Sequence, residues 1–362
     1  MRSPFLAVAI LAAFSNGGRA ALPAEVKGFD VYRSGALNAA SARDAGGAIL
    51  DSFVRARISH RKGNQKVEAR LKAEAEAKLK KAAGLPFVSI TVADYQTSAE
   101  RTWFVTVDAV DAADAKARLP FRAAPTGTTA DPDGLLASWQ RYSDLGDGLS
   151  QKGLLDASEH PSCPGFFCLW GPRTPELKTL EQTLVAGAAS QKAALTKVLK
   201  EDADAKKRAA ALFVLSYLPD GKAVVDLCDD ALLDPSEDVR SAALQVLSEI
   251  ALYHKPVFLD VNKLIPALDY PTVSDRAKAL SVLVGLADNP SYKPQVLARA
   301  TPYLLGLLRL RQPANHDLAF TLLSMLSGQT YDQRDYDSWR KWVETQAKGA
   351  AEVPGVSAED GR

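Results

Sequence analysis

The sequence predicts an α+β chain that is mostly α: a small β-α-α-β-β domain followed by an α-solenoid of about four helix pairs. Three observations carry that expectation. Strand-like runs of β-branched and aromatic residues are confined to the first third of the chain. From Pro175 to Gln346 amphipathic helical patterns follow one another, broken by Asp-Pro and Pro turns. Within that stretch a short basic, Ala-rich pattern returns at intervals of 32 and 36 residues. The 362 residues are 47% apolar, which excludes wholesale disorder. With 44 Lys+Arg against 43 Asp+Glu, a nucleic-acid binder relying on a broadly basic surface is excluded too. Three Cys in so long a chain exclude a disulfide scaffold.

At the amino end Arg2 precedes the apolar run Phe5 to Phe14, then SNGGR and the pair Ala20-Ala21. A charged start, a short apolar run and a small-residue exit have the layout of a secretory signal peptide, expected over residues 1–21. The run is too short for a membrane span, which needs about 20 residues. No lipid-anchor Cys follows it. The mature chain, with a charge near −1 once Arg2 and Arg19 are removed, is therefore expected to be exported, periplasmic or secreted, without stable membrane insertion.

Residues 25–119 form the expected small domain. Phe29–Tyr32 reads as a strand and residues 41–58 as an Ala-rich helix. A second helix spans Gln65–Ala83, with Val67, Leu71, Ala75, Leu79 and Ala82 on one stripe. Gly84 and Pro86 end it. Phe87–Tyr95 and Thr102–Val110, joined by QTSAER, read as an antiparallel hairpin. The alternation of Phe104 and Thr106 with Val105 and Val107 predicts one buried face and one wet one. The element order resembles that of polypeptide-transport-associated modules, and that resemblance implies binding by strand addition at a sheet edge. A generic two-layer domain has the same order.

Residues 120–174 read as a linker. Pro120, Pro125, Gly127, Pro132 and Gly134 crowd its first part, and a short helix is expected near 135–155. Cys163 and Cys168 then flank Pro164-Gly165, which turns the chain. In an exported protein that spacing predicts a local disulfide presenting Phe166, Phe167 and Trp170 for docking. A zinc site with His160 lacks a fourth ligand, and a redox pair lacks Cys-x-x-Cys spacing. Cys228 reads as a buried thiol.

Residues 175–347 hold the repeat. Lys207-Arg208-Ala-Ala210-Ala211-Leu212 recurs as Val239-Arg240-Ser-Ala242-Ala243-Leu244 and Asp275-Arg276-Ala-Lys278-Ala279-Leu280, with a divergent copy at His316. Each copy follows a leucine-rich helix, closed in the first three by Asp202, Asp234 and Asp269. On these residues the C-terminal half resembles the HEAT repeat family, and the resemblance implies antiparallel helix pairs stacked into a solenoid that binds proteins. An Asp at the turn can cap backbone N–H groups. An Arg six or seven residues later can pair with an Asp of its own or the next unit, forming a ladder of Asp202, Arg208, Asp234, Arg240, Asp269 and Arg276 that fixes register. The Ala pairs allow close helix approach, and the Leu residues fill a continuous core. Trp339 and Trp342 read as a terminal seal, and residues 348–362 as a disordered tail.

No catalytic motif, cofactor fingerprint or metal-ligand spacing is present, and the four His are scattered. The expected function is non-catalytic protein binding across the face made by the second helices, with Gln245, Glu249 and Lys278 as candidate concave-face residues. An enzyme or enzyme subunit, such as a lyase-like HEAT protein, and a structural envelope-assembly factor are the alternatives. No cofactor, metal or nucleic acid is expected, and the oligomeric state is left open.

Overall fold

The structure, a computed structural model, describes residues 22–59, 63–96, 100–156 and 159–351. The expected signal segment 1–21 and residues 352–362 lie outside the described residues.

The amino-terminal domain comprises β1 (Val26–Tyr32), α1 (Ala39–Ser59), α2 (Gln65–Ala83), β2 (Phe87–Gln96) and β3 (Arg101–Val110). The sheet order is β1-β3-β2, with β3 parallel to β1 and antiparallel to β2. Gly84 closes α2 at φ 64°, a left-handed conformation that glycine adopts without a Cβ clash. Leu50, Phe53, Val54, Ala75 and Leu79 cover one face of the sheet, against Ile90, Val92, Val105 and Val107. Val67, expected on the buried stripe, is 43% exposed, and Glu68 is turned inward beside Arg57.

The sheet's second face corrects the expectation of a half-buried hairpin. β3 is buried on both sides, with Thr106 1% and Asp108 0% exposed, because that face rests on the helical repeats. Tyr32 belongs to the repeat core, not to the domain's own.

A one-turn helix α3 (Ala115–Arg118) leads to an extended segment, then α4 (Leu135–Gln151) and α5 (Pro175–Ser190). Four helix pairs follow: α6 (Lys192–Glu201) with α7 (Ala205–Leu215), and α8 (Gly221–Ala231) with α9 (Glu237–Tyr253). The third pairs α10 (Val261–Leu264), prolonged by a tight turn Ile265–Asp269, with α11 (Val273–Ala287). The fourth is α12 (Lys293–Leu308) with α13 (Pro313–Ser327). The second helices of successive pairs, α7, α9, α11 and α13, pack side by side. Ala211, Ala243, Ala279 and Leu212, Leu244, Leu280 are all fully buried, so the repeating small-then-large pattern builds one continuous core.

The second helices start with side chains that accept backbone N–H groups: Asp204, Ser236, Thr272 and Gln312. Each such cap contributes about 1 kcal/mol. Helix α14 (Tyr336–Ala351) closes the stack with Trp339 fully buried edge-on to Phe320 and Tyr331. It takes in the first four residues of the expected tail, since Ala350 and Ala351 favour helix. Among the described residues no helix is long and apolar enough to cross a membrane.

Candidate interaction surfaces

The recurring geometry of the repeat is a buried arginine. The guanidinium of Arg208 donates two hydrogen bonds to Asp234, at 2.9 and 2.8 Å, and a third to the carbonyl of Asp202. Arg240 does the same with the carboxylate of Asp275 (2.7 Å) and the carbonyl of Asp234 (2.9 Å). Arg276 donates to the carbonyl of Tyr270 (2.8 Å), to Asn315 (3.2 Å), and meets Asp108 of β3 at 2.7 Å. Each Arg thus reaches the carbonyl six residues earlier and an acceptor outside its own turn. By that rule Tyr270, not Asp269, is the third unit's turn residue, which accounts for the spacing of seven.

Asp202 and Asp269 therefore take other partners than the ladder assigned to them in sequence. Asp269 pairs with Arg33 (2.7 Å) and Arg118 (3.3 Å). Asp202 accepts from the Thr129 hydroxyl (2.6 Å) and backbone (2.8 Å), and from the N–H of Asp204. Desolvation pushes its carboxyl up, but these bonds and Lys207 outweigh that and hold it down at about 2. Both acids hold the chain's own amino-terminal half.

Residues 118–131 run backward over the repeats as a strap. Arg118, 1% exposed, donates to the carbonyls of Asp269, Arg33 and Ala109. Phe121 packs edge-on to Tyr270 and lies 3.9 Å from the Arg240 guanidinium. Arg122 bonds to Leu233 and Asp230, and Gly127 to Glu201 and Ala203. A Cβ on Gly127 would stand 2.6 Å from the Glu201 carbonyl, so only glycine fits there. Tyr32 covers Arg276 at 4.0 Å. Cation–π contact of this buried kind is worth about 2 kcal/mol.

The disulfide joins Cys163 and Cys168, and the loop it closes packs on the opposite ends of the second helices. Phe166 donates its N–H to Ser216 and meets His254 edge-on, while Phe167 packs on Phe213. His160 stacks on Tyr253 at 3.7 Å and lies 3.3 Å from Glu249. Burial pushes the Glu249 carboxyl up to about 7. Upstream, Glu181 is 4% exposed and accepts from both Tyr142 and Tyr217, and the Tyr142 oxygen in turn accepts the N–H groups of Trp170 and Gly171. Cys228 is a buried thiol, its pKa raised by desolvation.

Of the three candidate face residues, Glu249 is thus engaged by the chain's own loop. Lys278 is half-buried, its ammonium pKa lowered by desolvation, and Gln245 is half-buried on α9. Exposed apolar surface lies instead at the end of α9 and in the following loop, with Leu252 40%, Tyr253 53% and Phe258 70% exposed. Phe258 stacks on Tyr292 beside a recess of about 340 Å³ and lines a second of about 470 Å³.

Several of these residues carried no signal in the sequence. In sequence Asp108 is one carboxylate in an apolar strand and Asp275 the residue before a repeat Arg, and neither position points to a buried partner. Nothing in sequence marked Arg118, Phe121 or Thr129.

Residues 193–300 match the family model of HEAT repeats, in the segment where the repeat was read. The expected likeness of residues 25–119 to polypeptide-transport-associated modules finds no support in that comparison. No curated protein and no solved structure matches the chain.

Proposed function

We propose that these HEAT repeats form an exported, non-catalytic scaffold that docks a protein partner on the ridge of Leu252, Tyr253 and Phe258. The observation that carries the reading is Phe258, a large apolar ring held 70% exposed, which lines one recess and stacks on Tyr292 at the wall of another. Exposed aromatic side chains beside pockets are the usual anchors of protein interfaces. Asp226, Asp229 and Asp260 near the second recess add polar contacts at its rim. The signal-like amino end and the Cys163–Cys168 bond support an oxidising, exported location.

The test is affinity capture from the exported fraction of the source cells, using the chain without residues 1–21. A partner held by the native protein and lost by Phe258→Ser with Leu252→Ser supports the reading. Capture unchanged by that double substitution, or none above background after crosslinking, refutes it. Amino-terminal sequencing of the protein from its cells tests export: a start after residue 21 is expected, and retention of Met1 or Arg2 argues against it.

A further inference from the structure

Between the sheet and the last repeats lies a cleft of about 800 Å³, within the range of small-ligand pockets, roughly 300–1,000 Å³. Lys27 enters it from the bulge in β1, Arg309 and Arg311 from the α12–α13 turn, and Arg334 from the segment before α14. Glu100 and Asp317 are the carboxylates on its wall, and with Arg311 set against Asp30 one positive charge remains in excess, within a chain whose net charge is +1. Arg311 is held by Asp30, which accepts its N–H at 2.7 Å. Among the described residues the side chains of Lys27, Arg309 and Arg334 make no hydrogen bond or ion pair. Unpaired like charges gathered in a recess raise a positive potential that an anion relieves.

The walls also carry rings: Tyr95 from β2, Phe104 from β3 and Tyr336 from α14. The floor therefore crosses the strands at one end of the sheet. The backbone of β3 is already paired on both sides, so a ligand lying over it meets side chains. Guanidinium forks hold carboxylates in two parallel bonds, and aromatic faces pack against the C–H faces of sugar rings. We propose that this cleft binds an acidic oligosaccharide, with carboxylates on Arg309 and Arg334 and a sugar ring packed on Tyr95 or Tyr336. The cleft shares no lining residue with the Phe258 ridge, so the two sites stand or fall separately.

Titration calorimetry on the chain without residues 1–21 tests this with a hexameric oligouronate as probe. The comparison ligands are the neutral oligosaccharide of the same length and a hexaglutamate peptide. The oligouronate is expected to bind at least tenfold more tightly than either, and to weaken at least tenfold in Arg309→Ala with Arg334→Ala. Tyr95→Ala, on a ring 45% exposed, is expected to weaken it at least threefold. An unchanged melting temperature in these variants ties the losses to binding. The proposal is overturned by absence of oligouronate binding, by equal binding of the neutral sugar, or by affinity that survives loss of both arginines. Tighter binding of hexaglutamate overturns it in favour of an acidic peptide.

Discussion

Arg276 of the third helix pair and Asp108 at the centre of the sheet form an ion pair at 2.7 Å, and neither side chain is exposed. The Asp108 carboxylate takes no further hydrogen bond; desolvation pushes its pKa up, opposed chiefly by Arg276 and in smaller part by the charge of Arg118. The ladder that ties one repeat to the next thus also ties the solenoid to the amino-terminal domain.

Removing one partner of that pair leaves a buried, uncompensated charge. Arg276→Met alone is expected to cost about 3–5 kcal/mol in urea unfolding, whereas Arg276→Met with Asp108→Leu recovers most of it. A single-substitution cost below about 1 kcal/mol would mean that the pair does not lock the domain in place.

Gly146 lies under Trp170, and a Cβ there would stand 2.2 Å from the indole. Gly146→Ala is expected to displace Trp170 and cost roughly 1–3 kcal/mol. Tryptophan emission shifting to the red, together with a lower unfolding midpoint, is the expected signature.

Asp202 fixes the strap to the first pair through Thr129. Its carboxyl is held at about 2, so the stabilisation is present above the ordinary value near 3.8 and lost as pH falls toward 2. At neutral pH Asp202→Ala is expected to speed proteolytic cleavage after Arg122 several-fold, and unchanged cleavage would show that the strap is held elsewhere.

Glu249 gives the opposite pH response. Its folded carboxyl, raised to about 7 from 4.5, binds more protons than the unfolded one between those values. Stability should therefore fall as pH rises from about 4.5 to 7 and level off above, by roughly 1–2 kcal/mol allowing for its residual solvent contact. Glu249→Gln should remove that component of the slope in denaturation curves recorded across the range.

The disulfide closes a loop of only five residues' separation, so reducing it removes little unfolded-state entropy. Cys163→Ser with Cys168→Ser is expected to cost no more than about 2 kcal/mol and to leave the helical circular dichroism unchanged. A larger loss would show that the bond also positions Phe166 and Phe167.

Much of the helical half was legible because its contacts are periodic. Arg208, Arg240 and Arg276 recur with Ala and Leu at fixed offsets, and each repeat meets only its neighbours, so sequence spacing maps onto spatial stacking. The contacts between halves are not periodic. Asp108 and Arg276 are 168 positions apart, and nothing local to either predicts the other. The apolar alternation of β3 looked like a strand with one wet face because Thr106 and Asp108 are polar. They are buried because their partners come from elsewhere in the chain. The candidate face at Glu249 was misjudged as open for the same reason, since His160 reaches it from the disulfide loop.

By itself the sequence determined the order of elements, the β-α-α-β-β arrangement and the repeating helix pairs. These follow from local propensity, caps and short-period hydrophobicity, which residues within one or two turns decide together. Only the tertiary structure decided which buried partners the arginine ladder takes, which repeat surfaces the strap and the disulfide loop cover, and that Phe258 is left outside. Those outcomes depend on desolvating charges and rings against segments far away in sequence, and burial energy of that kind has no period to read.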